Sequence, residues 1–223
     1  MLPRKPELIV FDLDGTLVDS APDIAYTVDV IRQSRGLPAV GEAKVRTWIG
    51  NGGEMLIKRA LTGRLWPDSD PPGWAEAYAM YLDVYEANLC NHSRLFPGVK
   101  EGLAQLRAAG FRLACSTNKH SRFTVPLLEQ FGIAGYFNFF ACGDQFGKLK
   151  PDPEPLLKTA AHFGVTPDMC LMVGDSANDA LAARNAGFML VCVPYGYHGG
   201  GGVEIFGPDA VVESLLELVG LLR

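Results

Sequence analysis

The sequence predicts an α/β protein: a doubly wound, mainly parallel (Rossmann-like) sheet core with an inserted α-helical cap domain. Three observations lead there. Short apolar runs recur along the chain and are continuous rather than alternating, as strands covered on both faces are. Helix patterns with clear starts and stops lie between the later runs. One long stretch, directly after the first run, carries helix patterns and no strong strand pattern.

The strand runs are "LIVFD" (8–12), "RLACST" (112–117), "FNFFACG" (137–143), "CLMVGD" (170–175) and "LVCVP" (190–194). Among the helices, "PGVKEGLAQLRAAG" stops at Gly110, and "PDPEPLLKTAAHFG" opens with Asp152 ahead of Pro153 and stops at Gly164. "SANDALAARNAG" takes Ser176 as its N-cap and stops at Gly187. Strand–helix alternation at this spacing builds a parallel sheet. The interruption contains "APDIAYTVDVIRQSRG" and "GWAEAYAMYLDVYEAN", both with apolar residues at helical spacing, and the linkers "LPAVGE" and "WPDSDPPG". The predicted division is therefore a discontinuous core, residues 1–20 and 95–223, and a cap, residues 21–94. "DSAPD" (19–23) reads as a capping box at the cap entrance. Tyr78, Tyr81 and Tyr85 recur at a spacing that suits helix packing.

Composition narrows the function classes. The 223 residues are 48% hydrophobic and 20% charged, with a net charge of −5, so no basic surplus points to nucleic acid. No stretch reaches the ~18 apolar residues of a membrane span, and the first apolar run is too short for a signal peptide. The five cysteines are odd in number, show no CxxC spacing and lie mostly in strand-like runs. They read as small buried hydrophobes of a reduced, cytoplasmic protein.

In open α/β sheets, ligands bind beyond the carboxyl ends of the strands. Here those ends carry Asp12 and Asp14, then Ser116-Thr117-Asn118, then Gly174-Asp175, with Lys150 in the loop "GKLKPDP". Two carboxylates at the end of a buried strand repel each other, and either a cation or a helix cap with solvent must offset that. "SAND" (176–179) is also a capping box, which by itself accounts for Asp179.

Taken in order, "DLDGT", "STN", "KPDP" and "GDSAND" resemble the four motifs of the haloacid dehalogenase-like superfamily of phosphohydrolases. The resemblance implies that Asp12 is a nucleophile forming an aspartyl-phosphate and that Asp14 is the general acid and base. It implies Mg²⁺ held by Asp12, the backbone carbonyl of Asp14, and Asp175. It further implies that Thr117, Asn118 and Lys150 bind the phosphoryl group, with Asp179 adding support near the metal or Lys150. By the same resemblance, an Asp at position 14 separates the chain from dehalogenases and ion-pumping ATPases and favours phosphatase or phosphomutase. The cap does not show the Arg-and-Lys arrangement of β-phosphoglucomutase-type mutases, which leaves phosphatase.

"WIGNG" with the downstream "RAL", together with "TNK" (117–119) and "YGYHGGG" (195–201), is similar to bacterial phosphoglycolate phosphatases. That likeness implies 2-phosphoglycolate as substrate, with Arg59 as donor to its carboxylate. The alternatives are an N-acetylmuramic acid 6-phosphate or other small sugar-phosphate phosphatase and, in another class, a catalytically silent binding scaffold. The expected partner is a small phosphate ester, with no nucleic acid or membrane, and the chain is expected to be a monomer or homodimer.

Overall fold

The computed structural model describes residues 2–222. After β1 (Leu8–Phe11), the two-residue β2 (Val18–Asp19) leads into α1 (Ala21–Ser34), α2 (Glu42–Arg46), α3 (Gly52–Thr62) and α4 (Trp74–Ala87). The chain returns through β3 (Arg94–Leu95), which pairs antiparallel with β2. There follow α5 (Val99–Ala108), β4 (Arg112–Ser116), α6 (Ser121–Gln130), β5 (Phe139–Ala141) and α7 (Glu154–Phe163). β6 (Cys170–Gly174), α8 (Ala177–Ala186), β7 (Met189–Cys192), β8 (Ala210–Val211) and α9 (Leu215–Leu222) complete it.

The main sheet has six parallel strands in the order β5-β4-β1-β6-β7-β8. The apolar runs are continuous because the sheet is covered on both faces. Ile9 and Phe11 of β1 enter one buried cluster with Leu113, Cys115, Leu171 and Val173. Leu8 and Val10 enter the other with Ala114, Cys170 and Met172. Residues at successive positions thus face opposite layers, the period-2 geometry of a strand.

Register fixes where the site falls. Phe11 pairs with Cys115 on one side and with Val173 on the other. Asp12, Ser116 and Gly174 therefore lie at one level along the sheet, Asp12 just past the end of β1 and the other two as the last residues of their strands. The chain builds β4 and β5 on one side of β1 and then crosses to β6 on the other, so the end of β1 lies at the switch point of the topology, where ligands bind.

Several local expectations differ from the structure. The sixth strand, β8, and the β2–β3 pair are two residues long and too short to leave a periodic signal. The α6 helix contains Pro126, which interrupts its pattern. The capping box at 19–23 does not form: Ser20 Oγ donates to Asp14 Oδ1 at 2.5 Å. The Asp23 carboxylate instead accepts from the His92 and Ser93 N–H groups and from Ser93 Oγ. It therefore ties the start of the helical insertion to its end. The box at 176–179 does form. Among the described residues, no helix is long and apolar enough to cross a membrane.

Candidate active site

Beyond the carboxyl end of β1, a cavity opens between the sheet edge and the helices of residues 21–87. Its floor includes Asp12, Asp14, Thr117, Asn118, Lys150, Asp175 and Asp179, so one site gathers all of the polar residues singled out in the sequence except Arg59. Its roof comes from Ile24, Ile49, Gly50, Gly52, Gly53, Leu56, Tyr78 and Tyr81.

Lys150 organises the floor. Its ammonium, on a residue only 3% exposed, donates to Asp12 Oδ1 (2.8 Å), the Ser116 carbonyl (2.7 Å) and Asp179 Oδ1 (2.6 Å). These three bonds use all the donors an ammonium has. Asp12 Oδ2 accepts no hydrogen bond among the described residues. Asp179 plays both parts expected of it: Oδ1 binds Lys150, while Oδ2 accepts from the N–H and Oγ of Ser176. Asp175 Oδ1 accepts from Thr16 Oγ1 at 2.9 Å, and Oδ2 accepts from the Tyr197 N–H.

Burial raises the Asp12 carboxyl to about 7; Lys150 opposes this, and Asp179 and Asp14 add to it. Asp175 is pushed well above the usual carboxylate range, first by burial and then by Asp179 and Asp12. Burial alone would lower Lys150, but its contacts with Asp12 and Asp179 outweigh that and hold its pKa above the ordinary value. Four buried or half-buried carboxylates, Asp12, Asp14, Asp175 and Asp179, thus face two ammoniums, Lys119 and Lys150. With all four ionised, the negative surplus equals the charge of one divalent cation. Carboxylate oxygens of Asp12, Asp175 and Asp179 also lie within 4.8 Å of one another, so the group could hold a metal. An all-oxygen donor set suits a hard cation. The floor therefore fits the ion that the motifs imply.

Close packing around this cluster depends on glycine. A Cβ at Gly196 would come within 2.3 Å of Asp175 Oδ2, and one at Gly15 within 2.4 Å of the same atom. At Gly174 a Cβ would come within 2.5 Å of the Asp179 side chain.

Asn118 lines the cavity, but both of its amide N–H groups are engaged. Nδ2 donates to the carbonyls of Gly50 and Lys150, and Oδ1 accepts from the Lys150 N–H. Asn178 Nδ2 donates to the same Gly50 carbonyl at 3.0 Å. Two asparagines of the sheet edge thereby clasp the loop before α3. Thr117 Oγ1 accepts from the Lys119 N–H within its own turn.

Arg59 does not reach the cavity. It is 1% exposed and donates to the carbonyls of Trp48 and Leu65 and to Asn51 Oδ1. Burial lowers its pKa to about 10, which leaves it charged at neutral pH. It braces the loop from behind, so the expected carboxylate contact is corrected to a structural one. Tyr81 and Tyr85 pack as expected, with ring centroids 5.5 Å apart, yet Tyr78 and Tyr81 also form part of the cavity wall.

Three residues enter the site without having been singled out. Lys119 Nζ lies 3.0 Å from Asp14 Oδ1. The Tyr197 hydroxyl donates to Asp19 Oδ1 and accepts from the Ala21 N–H, while its own N–H binds Asp175. Asn178 clasps Gly50. Lys119 and Tyr197 belong to the quoted "TNK" and "YGYHGGG" stretches, which carried a likeness but no chemistry.

The chain belongs to the haloacid dehalogenase-like hydrolase family, whose model matches residues 9–193. It is 46% identical over 219 residues to the phosphoglycolate phosphatase of Nitrosococcus oceani, covering 98% of this chain and 97% of the relative. It is 45% identical to that of Thiobacillus denitrificans, covering 96% and 95%. Among solved structures, it superposes at a TM-score of 0.90 on a protein from Haemophilus somnus 129PT described as a predicted phosphoglycolate phosphatase. That pair is 35% identical, covering 99% of this chain and 100% of the other. The expectation of a phosphatase with a doubly wound α/β fold is borne out.

Proposed function

We propose that the chain is a Mg²⁺-dependent phosphoglycolate phosphatase, hydrolysing 2-phosphoglycolate to glycolate and phosphate through an aspartyl-phosphate. The observation that carries this reading is the state of Asp12. One oxygen is fixed by Lys150, the other accepts no hydrogen bond among the described residues, and the residue lines the cavity, which suits in-line attack on phosphorus. Substrate identity rests on the full-length likeness to the named phosphatases. The residues divide into a core, 1–20 and 95–223, and a cap, 21–94, with the β2–β3 pair at the two crossings.

In the first step Asp12 Oδ2 bonds to phosphorus, and the ester P–O bond breaks with its electron pair leaving on the alkoxide oxygen. Asp14 supplies a proton to that oxygen and later removes one from the water that cleaves the acyl-phosphate. Lys150 holds Asp12 in position and stabilises the phosphoryl oxygens through its charge, while the Thr117 hydroxyl donates to one of them. A magnesium ion held by Asp12, the Asp14 carbonyl and Asp175 would supply the remaining positive charge, with Asp179 orienting Lys150. The roof excludes bulk water. All five cysteines are free, which suits a reducing compartment such as the cytoplasm.

The test is phosphate release, with Mg²⁺, from 2-phosphoglycolate, N-acetylmuramic acid 6-phosphate, other sugar phosphates and an aryl phosphate. Asp12→Asn is expected to lose at least about 10³-fold in kcat, because no other group can form the covalent intermediate. If a sugar phosphate leads in kcat/KM, the substrate reading fails. If Asp12→Asn stays active, the mechanism fails.

A further inference from the structure

Lys119 is the cationic side chain of the cavity wall with hydrogen-bonding capacity left over. Lys150 has used its three donors, Arg59 is engaged behind the wall, and His120 Nδ1 accepts from the Arg122 N–H. Lys119 Nζ meets only the Asp14 carboxylate among the described residues, at 3.0 and 3.1 Å, so at least one of its three N–H groups lacks an acceptor. The residue is 7% exposed. Its ammonium sits 4.6 Å over the Tyr85 ring, which is itself fixed by Tyr81 and by Phe123 at 4.9 Å. A nearly dry, aromatic-backed ammonium interacts more strongly with a second anion than a solvated one does.

We infer that Lys119 is a specificity-determining residue that binds the carboxylate of the substrate. This rests on reading the chain as a phosphoglycolate phosphatase. Connectivity fixes where that carboxylate falls. Asp14 must approach the ester oxygen to protonate it, and in 2-phosphoglycolate a single carbon joins that oxygen to the carboxylate. The carboxylate therefore lies beside Asp14, and once Asp14 has given up its proton two like charges stand there, which repel unless a cation stands next to both. Lys119 already bonds Asp14 and lines the same cavity.

The test compares 2-phosphoglycolate with its carboxamide analogue, which keeps the shape and removes the charge. Lys119→Met lowers turnover of both, through Asp14, so the readout is the ratio of the two kcat/KM values. That ratio is expected to fall by about 30-fold or more relative to the unaltered enzyme, the loss of one charge-assisted bond. Lys119→Arg is expected to retain it within about 5-fold, since the charge persists, and covers the case in which the Met variant does not fold. If both substrates fall together in Lys119→Met, or if Lys119→Arg loses the ratio as fully as a neutral side chain, Lys119 only positions Asp14 and the inference is overturned. If the unaltered enzyme itself shows no preference for the carboxylate, the phosphoglycolate reading fails, and this inference with it.

Discussion

At the scale of single residues, the site is a crowd of charges held by backbone that leaves no spare room. Asp175 is pinned between Thr16 and the Tyr197 N–H, and Gly196 passes so close that any Cβ must displace it. Gly196→Ala is therefore expected to leave the fold intact and lower kcat/KM by about 10- to 100-fold, the penalty of misplacing a reacting-centre group by about 1 Å. The Mg²⁺ concentration for half-maximal activity should rise as well. Circular dichroism and a metal titration check this, and activity within twofold of the parent would show that Asp175 has slack which the packing denies it. The same scale marks where the sequence was readable. Asp12, Asp175 and Lys150 follow strands or sit in a short proline-framed loop, so local spacing placed them at one edge. Lys119 and Tyr197 could not be assigned that way. Their partners, Asp14 and Asp19, lie 105 and 178 positions away, and no local pattern encodes such a contact.

At the scale of elements, two side chains read one way in sequence behave another way in three dimensions. "DSAPD" has the letters of a capping box, but Asp23 finds better donors at residues 92 and 93 once β2 and β3 bring the two crossings together. Local capping loses because one buried carboxylate can satisfy three donors that would otherwise be stranded. Asp23→Ala should then destabilise the protein by about 3 kcal/mol through unpaired buried donors. In a chain of this length that lowers Tm by about 6–12 °C. A shift below about 2 °C in a thermal melt, under the scaling for chains this long, would mean that the tie is not needed. Arg59 gives the parallel case. The likeness to phosphoglycolate phosphatases suggested Arg59 as a donor to the substrate, yet its fork holds the loop that carries Gly50 and Asn51. Arg59→Lys, whose single nitrogen cannot span acceptors placed for the three separate nitrogens of the fork, is expected to lower Tm and to change kcat/KM for 2-phosphoglycolate and its carboxamide by the same factor. A carboxylate-selective loss would restore Arg59 as a substrate contact. Most strands and helices longer than a turn were legible, although the eight-residue α9 was not singled out. β8 and the β2–β3 pair were not, because two residues show no period, and Pro126 hid α6.

Across the whole molecule, the helical roof and the sheet edge are joined by polar contacts at the rim of the cavity. Asn118 and Asn178 clasp the Gly50 carbonyl. On the opposite side Tyr197 reaches Asp19, which also pairs with Arg46 of α2 at 2.9 Å. Because Tyr197 also binds Asp175 through its backbone, the acidic cluster and the entrance to the roof share one residue. The cluster is a liability to folding in the absence of a cation, since burial and mutual repulsion both disfavour its ionised form. A cation that binds only the folded chain stabilises it by mass action, by about 2.7 kcal/mol at a concentration 100 times Kd. For a chain of this length the expected rise in Tm is about 5–10 °C. Thermal melts at constant ionic strength, with Mg²⁺ against EDTA, measure it. Asp175→Asn should remove most of the rise while leaving a cooperative transition. An equal rise in that variant would mean that the ion acts elsewhere on the surface, and the carboxylates at the end of β1 would then need another explanation for their company.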